Sequence, residues 1–113
     1  MIYVSAGVTH IPRTWVAALE IGGRLALPLT PTGALGCMLL ITRLSTERYA
    51  ARSLSPAQFV PCVGGNEPSA SHALVEAFQS QGPDAVRSLR LRTPPDGTAW
   101  CVGDGWWLST IDP

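Results

Sequence analysis

The sequence predicts an α/β fold, and three stretches carry that expectation. "IYVSAGVTHIP" reads as a short buried strand from Ile2 to Ala6, ended by Gly7 and followed by a loop of small and polar residues. "HIPRTWVAALEIGG" and "RLALPLTP" then read as a helix and a second strand. Strand, helix and strand within about 30 residues make a βαβ unit, so the strand from Ile2 to Ala6 and the one from Arg24 to Leu29 should be parallel neighbours. "GCMLLITRL" is nearly continuous in its apolar character, the pattern of a strand covered on both faces.

Each element has a local reason. Pro12 suits a first helical turn, where its missing N–H costs nothing. Trp15, Val16 and Leu19 form one apolar stripe, and Gly22 or Gly23 supplies the stop. Pro28 places the end of the second strand near a sheet edge or a bulge. After a polar turn around Ser45 to Arg48, "YAARSLSPAQFVPCVGG" reads as a further strand with a bend at Pro56. A composition shift follows at "GGNEPSAS". Ser69 or Ser71 can cap a helix through about Gln79, with Leu74, Ala77 and Phe78 on its buried face. "GPDAV" breaks that helix, and "RSLRLR" alternates, with Leu89 and Leu91 inward and the arginines outward. "TAWCVGDGWWLST" reads as a hairpin turning at Gly103-Asp104-Gly105, with a wider loop also open to it. There is no internal repeat and no low-complexity tract.

Composition narrows the function classes. The chain has 113 residues, room for one small domain, and 46% of them are hydrophobic, so a core is expected despite 10 prolines and 11 glycines. Lys plus Arg and Asp plus Glu both number 8, which argues against nucleic acid as a partner. The longest apolar run, Ala34 to Ile41, is far short of the roughly 20 residues of a membrane span. No basic and apolar leader follows Met1, so a cytoplasmic location is expected. Cys37, Cys62 and Cys101 form no CxxC and read as reduced packing residues. His10 and His72 have no neighbours at ligand spacing, so no metal site is expected.

The first 65 residues resemble the C-terminal half of the protein-L-isoaspartate O-methyltransferases. Four pieces match in the family's order. "IYVSAGVTHIP" looks like the fourth strand and its loop, and "WVAALEIGGRLALPL" like the helix, Gly-Gly turn and fifth strand. "CMLLITR" looks like the next strand, and "FVPCVGG" like the family's Phe-Val-Pro segment. Ile21 stands where the family usually has proline, and the tail from Asn66 to Pro113 matches no family motif. The resemblance implies part of a doubly wound, Rossmann-like class I methyltransferase sheet, from its fourth strand onward, over residues 1–65. Residues 66–113 would add a helix and β-hairpin tail packed on the same domain.

The resemblance also implies S-adenosylmethionine bound in the complete protein at the switch point, against the first strand. The Gly-rich turn, the acidic residue for the ribose and the family's substrate loop would all precede the fourth strand. What remains is one wall, the loop after the first strand of this chain. Ala6, Gly7 and Val8 are its cofactor-facing candidates, and Ser5, Thr9 and His10 its substrate-facing ones. Thr9 and His10 could equally cap and shape the helix entry through bonds to the backbone. No residue is singled out as catalytic. Two further features stay outside that site. "VGDG" at Val102 to Gly105 looks like a family Gly-Asp-Gly displaced in order, and also like an ordinary turn. Trp100, Trp106 and Trp107 read as packing residues, with one of the last two open to a partner. No GxSxG supports hydrolase chemistry.

The sequence therefore points to an O-methyltransferase lineage acting on a carboxylate, with no cofactor bound and no activity expected of this chain alone. A protein or peptide is the substrate class the resemblance implies. The alternative is a non-catalytic module. The expected partner is the missing N-terminal half, or a second copy paired through the strand from Ile2 to Ala6.

Overall fold

A computed structural model describes residues 2–3, 11, 13–30, 36–57, 68–91, 93–103 and 105–113. Among these residues seven strands form one sheet: β1 (Ile2–Tyr3), β2 (Arg24–Leu29), β3 (Gly36–Arg43), β4 (Tyr49–Ala57), β5 (Ser88–Leu91), β6 (Ala99–Val102) and β7 (Trp106–Ser109). Helix α1 (Arg13–Ala17) lies between β1 and β2, and α2 (Pro68–Ser80) between β4 and β5, followed by a single 3₁₀ turn at Pro83–Ala85. The order across the sheet is β1-β2-β3-β4-β5-β7-β6.

Connection length decides strand direction. The stretch from β1 to β2 holds α1, long enough for a crossover, and these strands are parallel, with Ile2 opposite Leu25 and Tyr3 opposite Ala26. The links from β2 to β3 and from β3 to β4 are too short for that, and both pairs are antiparallel. The remaining pairs are antiparallel as well. The α/β class is therefore seen. A doubly wound sheet would be mostly parallel with helices on both faces. Among the described residues one pair is parallel, and α1 and α2 contribute to the same core cluster.

That core lies on one face of the sheet. Leu25, Leu27 and Leu29 of β2 meet Leu39 and Ile41 of β3, all fully buried, with Val16 and Leu19 from the α1 region and Leu74 and Ala77 from α2. Alternate residues Ala26, Met38 and Leu40 make a second, smaller cluster. β3 is thus buried on both faces, as its continuous apolar run predicts.

Three details differ from expectation. Helix α1 stops at Ala17, because the next residues tighten: the Leu19 N–H donates to the Val16 carbonyl at 3.1 Å, and the Gly23 N–H to Glu20 at 2.7 Å. Gly22 then takes φ +86°, which only glycine adopts without strain, and its N–H donates to the Arg43 carbonyl at 2.7 Å. The irregularity in β4 sits opposite the Met38/Leu39 step, where Ser55 and Ser53 are the partners and Leu54 is the extra residue, rather than at Pro56. Arg90 is half-buried, since its guanidinium lies 5.9 Å from the Trp107 ring centroid and donates to the Asp112 carbonyl at 2.9 Å.

The tail closes with the expected hairpin. Val102 faces Trp107, the Gly103 N–H donates to the Trp106 carbonyl at 2.9 Å, and Gly105 has φ +80°. Gly103 and Trp106 thus face each other at the closed end of the hairpin, with Gly105 in the left-handed conformation. Both neighbouring tryptophans are buried, Trp106 in the main core and Trp107 on the other face with its indole N–H on the Thr93 carbonyl at 3.0 Å. Trp100 meets Phe78 edge to face at 5.2 Å and donates to the Gln81 carbonyl at 2.8 Å, fixing α2 against β6.

Candidate functional site

In a parallel α/β unit, ligands sit outside the carboxyl ends of the strands. The β1–β2 pairing fixes that direction: β1 runs toward the Leu29 end of β2. The residues expected to face a ligand there, Ser5, Ala6, Gly7, Val8, Thr9 and His10, lie outside the described residues. Asp104, Cys62 and the "FVPCVGG" segment lie outside them too. What is described is the chain that follows in sequence. Ile11, immediately after it, is fully buried in the main core, and Val16 and Leu19 follow into the same cluster.

The opposite end of the sheet takes its geometry from a stagger. β5 pairs with β4 only at Tyr49 and Ala50, then runs past the start of β4 to Leu91. β7 follows β5 and carries the Gly103–Gly105 loop farther still. The overhang leaves a notch beside the turn between β3 and β4. Here lies a cavity of about 550 Å³ lined by Arg13, Ala17, Arg43, Thr46, Glu47, Tyr49, Leu91, Thr93 and Gly105.

Arg43 is fixed within it. Nη1 donates to the Leu19 carbonyl at 2.7 Å, Nη2 to Thr46 at 2.9 Å and Nε to Ser45 at 3.2 Å, and the guanidinium lies 5.5 Å from the Tyr49 ring centroid. One cation therefore ties the end of the α1 region to the β3–β4 turn. Sequence reasoning missed this cavity, because the register that creates it is not a local pattern.

A smaller cavity of about 400 Å³ separates the end of α2 from β6, with Glu76, Gln81, Trp100 and Cys101 among its walls. Its thiol is a poor nucleophile. Burial pushes Cys101 up to about 11, and burial does the same to Cys37, partly opposed by a hydrogen bond with Ser53 and reinforced by the charge of Asp84. Both stay protonated at neutral pH. Among the described residues no three His, Cys, Asp or Glu side chains are grouped to hold a metal ion, and no helix is long and apolar enough to cross a membrane.

Comparison with known proteins is specific for the first part of the chain. The model of the family described as protein-L-isoaspartate(D-aspartate) O-methyltransferase matches residues 1–67. Protein-L-isoaspartate O-methyltransferase 1 of Geotalea uraniireducens is 36% identical over 63 residues, which are 56% of this chain and 29% of that protein. Protein-L-isoaspartate O-methyltransferase 2 of Marinobacter nauticus is 40% identical over the same shares. The Methanothermobacter thermautotrophicus protein-L-isoaspartate O-methyltransferase is 38% identical, again over 56% of this chain and 29% of its own. The matched segment thus spans less than a third of each of these relatives. No solved structure gives a significant match to the chain. Ile21, where the resemblance leads one to expect proline, is 65% exposed, so the departure removes no packing.

Proposed function

The chain belongs to the protein-L-isoaspartate(D-aspartate) O-methyltransferase family, and from that premise we propose that residues 1–67 are the carboxyl-terminal part of a class I methyltransferase domain. In its complete form that domain transfers a methyl group to a carboxylate oxygen of an isoaspartyl-type protein or peptide. The family match over residues 1–67 carries this reading. The parallel β1–β2 pair is its structural counterpart, the end of a doubly wound sheet whose earlier strands belong to the rest of the protein. The tail from residue 68 packs on the same domain.

Methyltransferases of this family use S-adenosylmethionine. The described residues do not by themselves fit that cofactor. They include no Gly-rich turn at the carboxyl end of a parallel strand, and the carboxyl end of β2 is Leu29 and Thr30, with no acidic side chain to hold a ribose. Ala6, Gly7 and Val8 would form only one wall, so this chain alone is inactive in the proposed reading. A carboxylate acceptor is already ionised at pH 7, so the loop's contribution is position rather than proton transfer. Thr9 and His10 are the groups able to hold it by hydrogen bonds, with Ser5 beside them.

The test joins this chain to the cofactor-binding part of a relative and measures methyl incorporation into an isoaspartyl peptide. Thr9→Val is expected to lower kcat/KM by the equivalent of about 1–3 kcal/mol, the cost of leaving a buried polar partner unpaired. His10→Ala should cost less, because Thr9 lies nearer the strand end. The reverse order would assign the acceptor-facing role to His10.

One observation favours a second reading, a non-catalytic module that pairs with another chain. β1 ends the sheet and has a strand neighbour on one side only among the described residues. The sequence from Ile2 to Thr9 carries no lysine, proline or charge to guard such an edge. In the complete protein the preceding half would cover it. Purified without that half, the chain is expected to self-associate at micromolar concentration in sedimentation velocity, and Val4→Lys to shift it toward monomer. A monodisperse monomer unchanged by the lysine would contradict the open edge. The coding sequence just upstream separates the two readings: an in-frame Gly-rich segment supports the methyltransferase, a stop codon the module.

A further inference from the structure

The cavity at the staggered end of the sheet joins two parts of the chain that the family match separates. Arg13, Arg43, Glu47 and Tyr49 come from the matched segment, whereas Thr93 and Gly105 come from the tail beyond it. The tail therefore completes a pocket that the matched segment alone would leave open. Since β2 and β3 are antiparallel, Arg43 stands opposite the start of β2, whereas the proposed methyl-transfer cleft adjoins the carboxyl ends of β1 and β2.

We propose that this pocket binds a small organic monoanion, a carboxylate on an apolar body. Its volume of about 550 Å³ lies within the range of small-molecule sites. Charge sets the ligand's sign. Among the described residues that line it are two guanidinium groups and one carboxylate, an excess of one positive charge, which suits a single carboxylate better than a polyphosphate. Arg43 is held by three carbonyls, so three of its five N–H donors are committed and its position is set before any ligand arrives. Arg13 is exposed, and its planar fork of donors matches the two oxygens of a carboxylate. Gly105 allows the approach: a side chain there would meet the Arg13 guanidinium at 3.0 Å. Tyr49 and Ala17 supply carbon surface for the ligand's body.

Benzoate is the probe, titrated into the full chain by calorimetry and by amide chemical shifts, with benzamide as its neutral isostere. Saturable one-to-one binding is expected, weakening on addition of salt, with benzamide about tenfold weaker or worse. Arg13→Gln and Ala17→Trp should each weaken benzoate by about tenfold or more, the first by removing the cation and the second by filling the mouth. Both positions are exposed, so both variants should keep the wild-type fold. Absence of saturable binding at millimolar benzoate would overturn the proposal, as would affinity unchanged by Arg13→Gln. Inorganic phosphate binding as tightly as benzoate would also overturn it, by showing that charge alone is read. None of these outcomes depends on methyltransferase activity.

Discussion

Replacing Trp106 with alanine is expected to lower the stability of the chain by about 3–5 kcal/mol, the usual cost of emptying a buried tryptophan site. Trp106 is 3% exposed, lies in the main core and faces Leu91 across the β5–β7 pair. The chain is built tightly around it: a side chain added at Gly103 would run directly into the indole atoms Cε2, Cζ2 and Nε1. Small domains have only about 5–15 kcal/mol in total, so this one truncation removes a large share. Urea unfolding measures it, as a fall in midpoint at constant m-value. A loss below about 1 kcal/mol, the scale of an ordinary surface change, would mean that the tail is not part of the core.

Gly36→Ala should destabilise for the opposite reason, too much volume rather than too little. Gly36 begins β3, and a Cβ there would lie 2.5 Å from the Thr30 Cα and closer still to the Leu29 carbonyl oxygen. These are backbone atoms, so no rotamer change relieves the clash. The β2–β3 hairpin must open at its mouth, where Leu29 faces Cys37. Overpacking of this kind costs about 1–3 kcal/mol, and backbone atoms put it at the upper end or beyond. Gly97→Ala is the control, since nothing lies within 4 Å of its added Cβ and its φ is not positive. It should change stability by no more than about 0.5 kcal/mol. Equal effects from the two alanines would contradict the β2–β3 geometry.

The parts of the fold legible in the sequence are those set by local pattern. The apolar run of β3, the alternation of β5 with Leu89 inward, and the Gly-Asp-Gly turn each declare themselves within a few residues. The parallel β1–β2 pair was legible as well, because only a connection long enough to cross the sheet permits it. Long-range register was not. That β5 meets only Tyr49 and Ala50 of β4 depends on how α2 and the 3₁₀ turn return the chain along the sheet, and no short motif encodes that length. The cavity follows from this register and was invisible for the same reason. Arg43 reads in sequence as the end of a strand, yet its three carbonyl contacts span Leu19 to Thr46. The burial of both Trp106 and Trp107 was open in the sequence, since alternation sends them to opposite faces without saying what covers each. Of the loop proposed to face the methyl acceptor, the structure describes only its flanks, Tyr3 and Ile11.

The claim that this chain is one wall of a methyltransferase cleft is tested most directly by titrating S-adenosylmethionine into it by calorimetry, alone and fused behind the cofactor-binding part of a relative. In the proposed reading the partners for the ribose and most of the amino-acid portion come from the rest of the domain, so no saturable heat is expected of the chain alone at micromolar to millimolar cofactor. The fusion should bind one to one. Saturable one-to-one binding at micromolar affinity by the chain alone would contradict the account, and would place a complete cofactor site within these 113 residues.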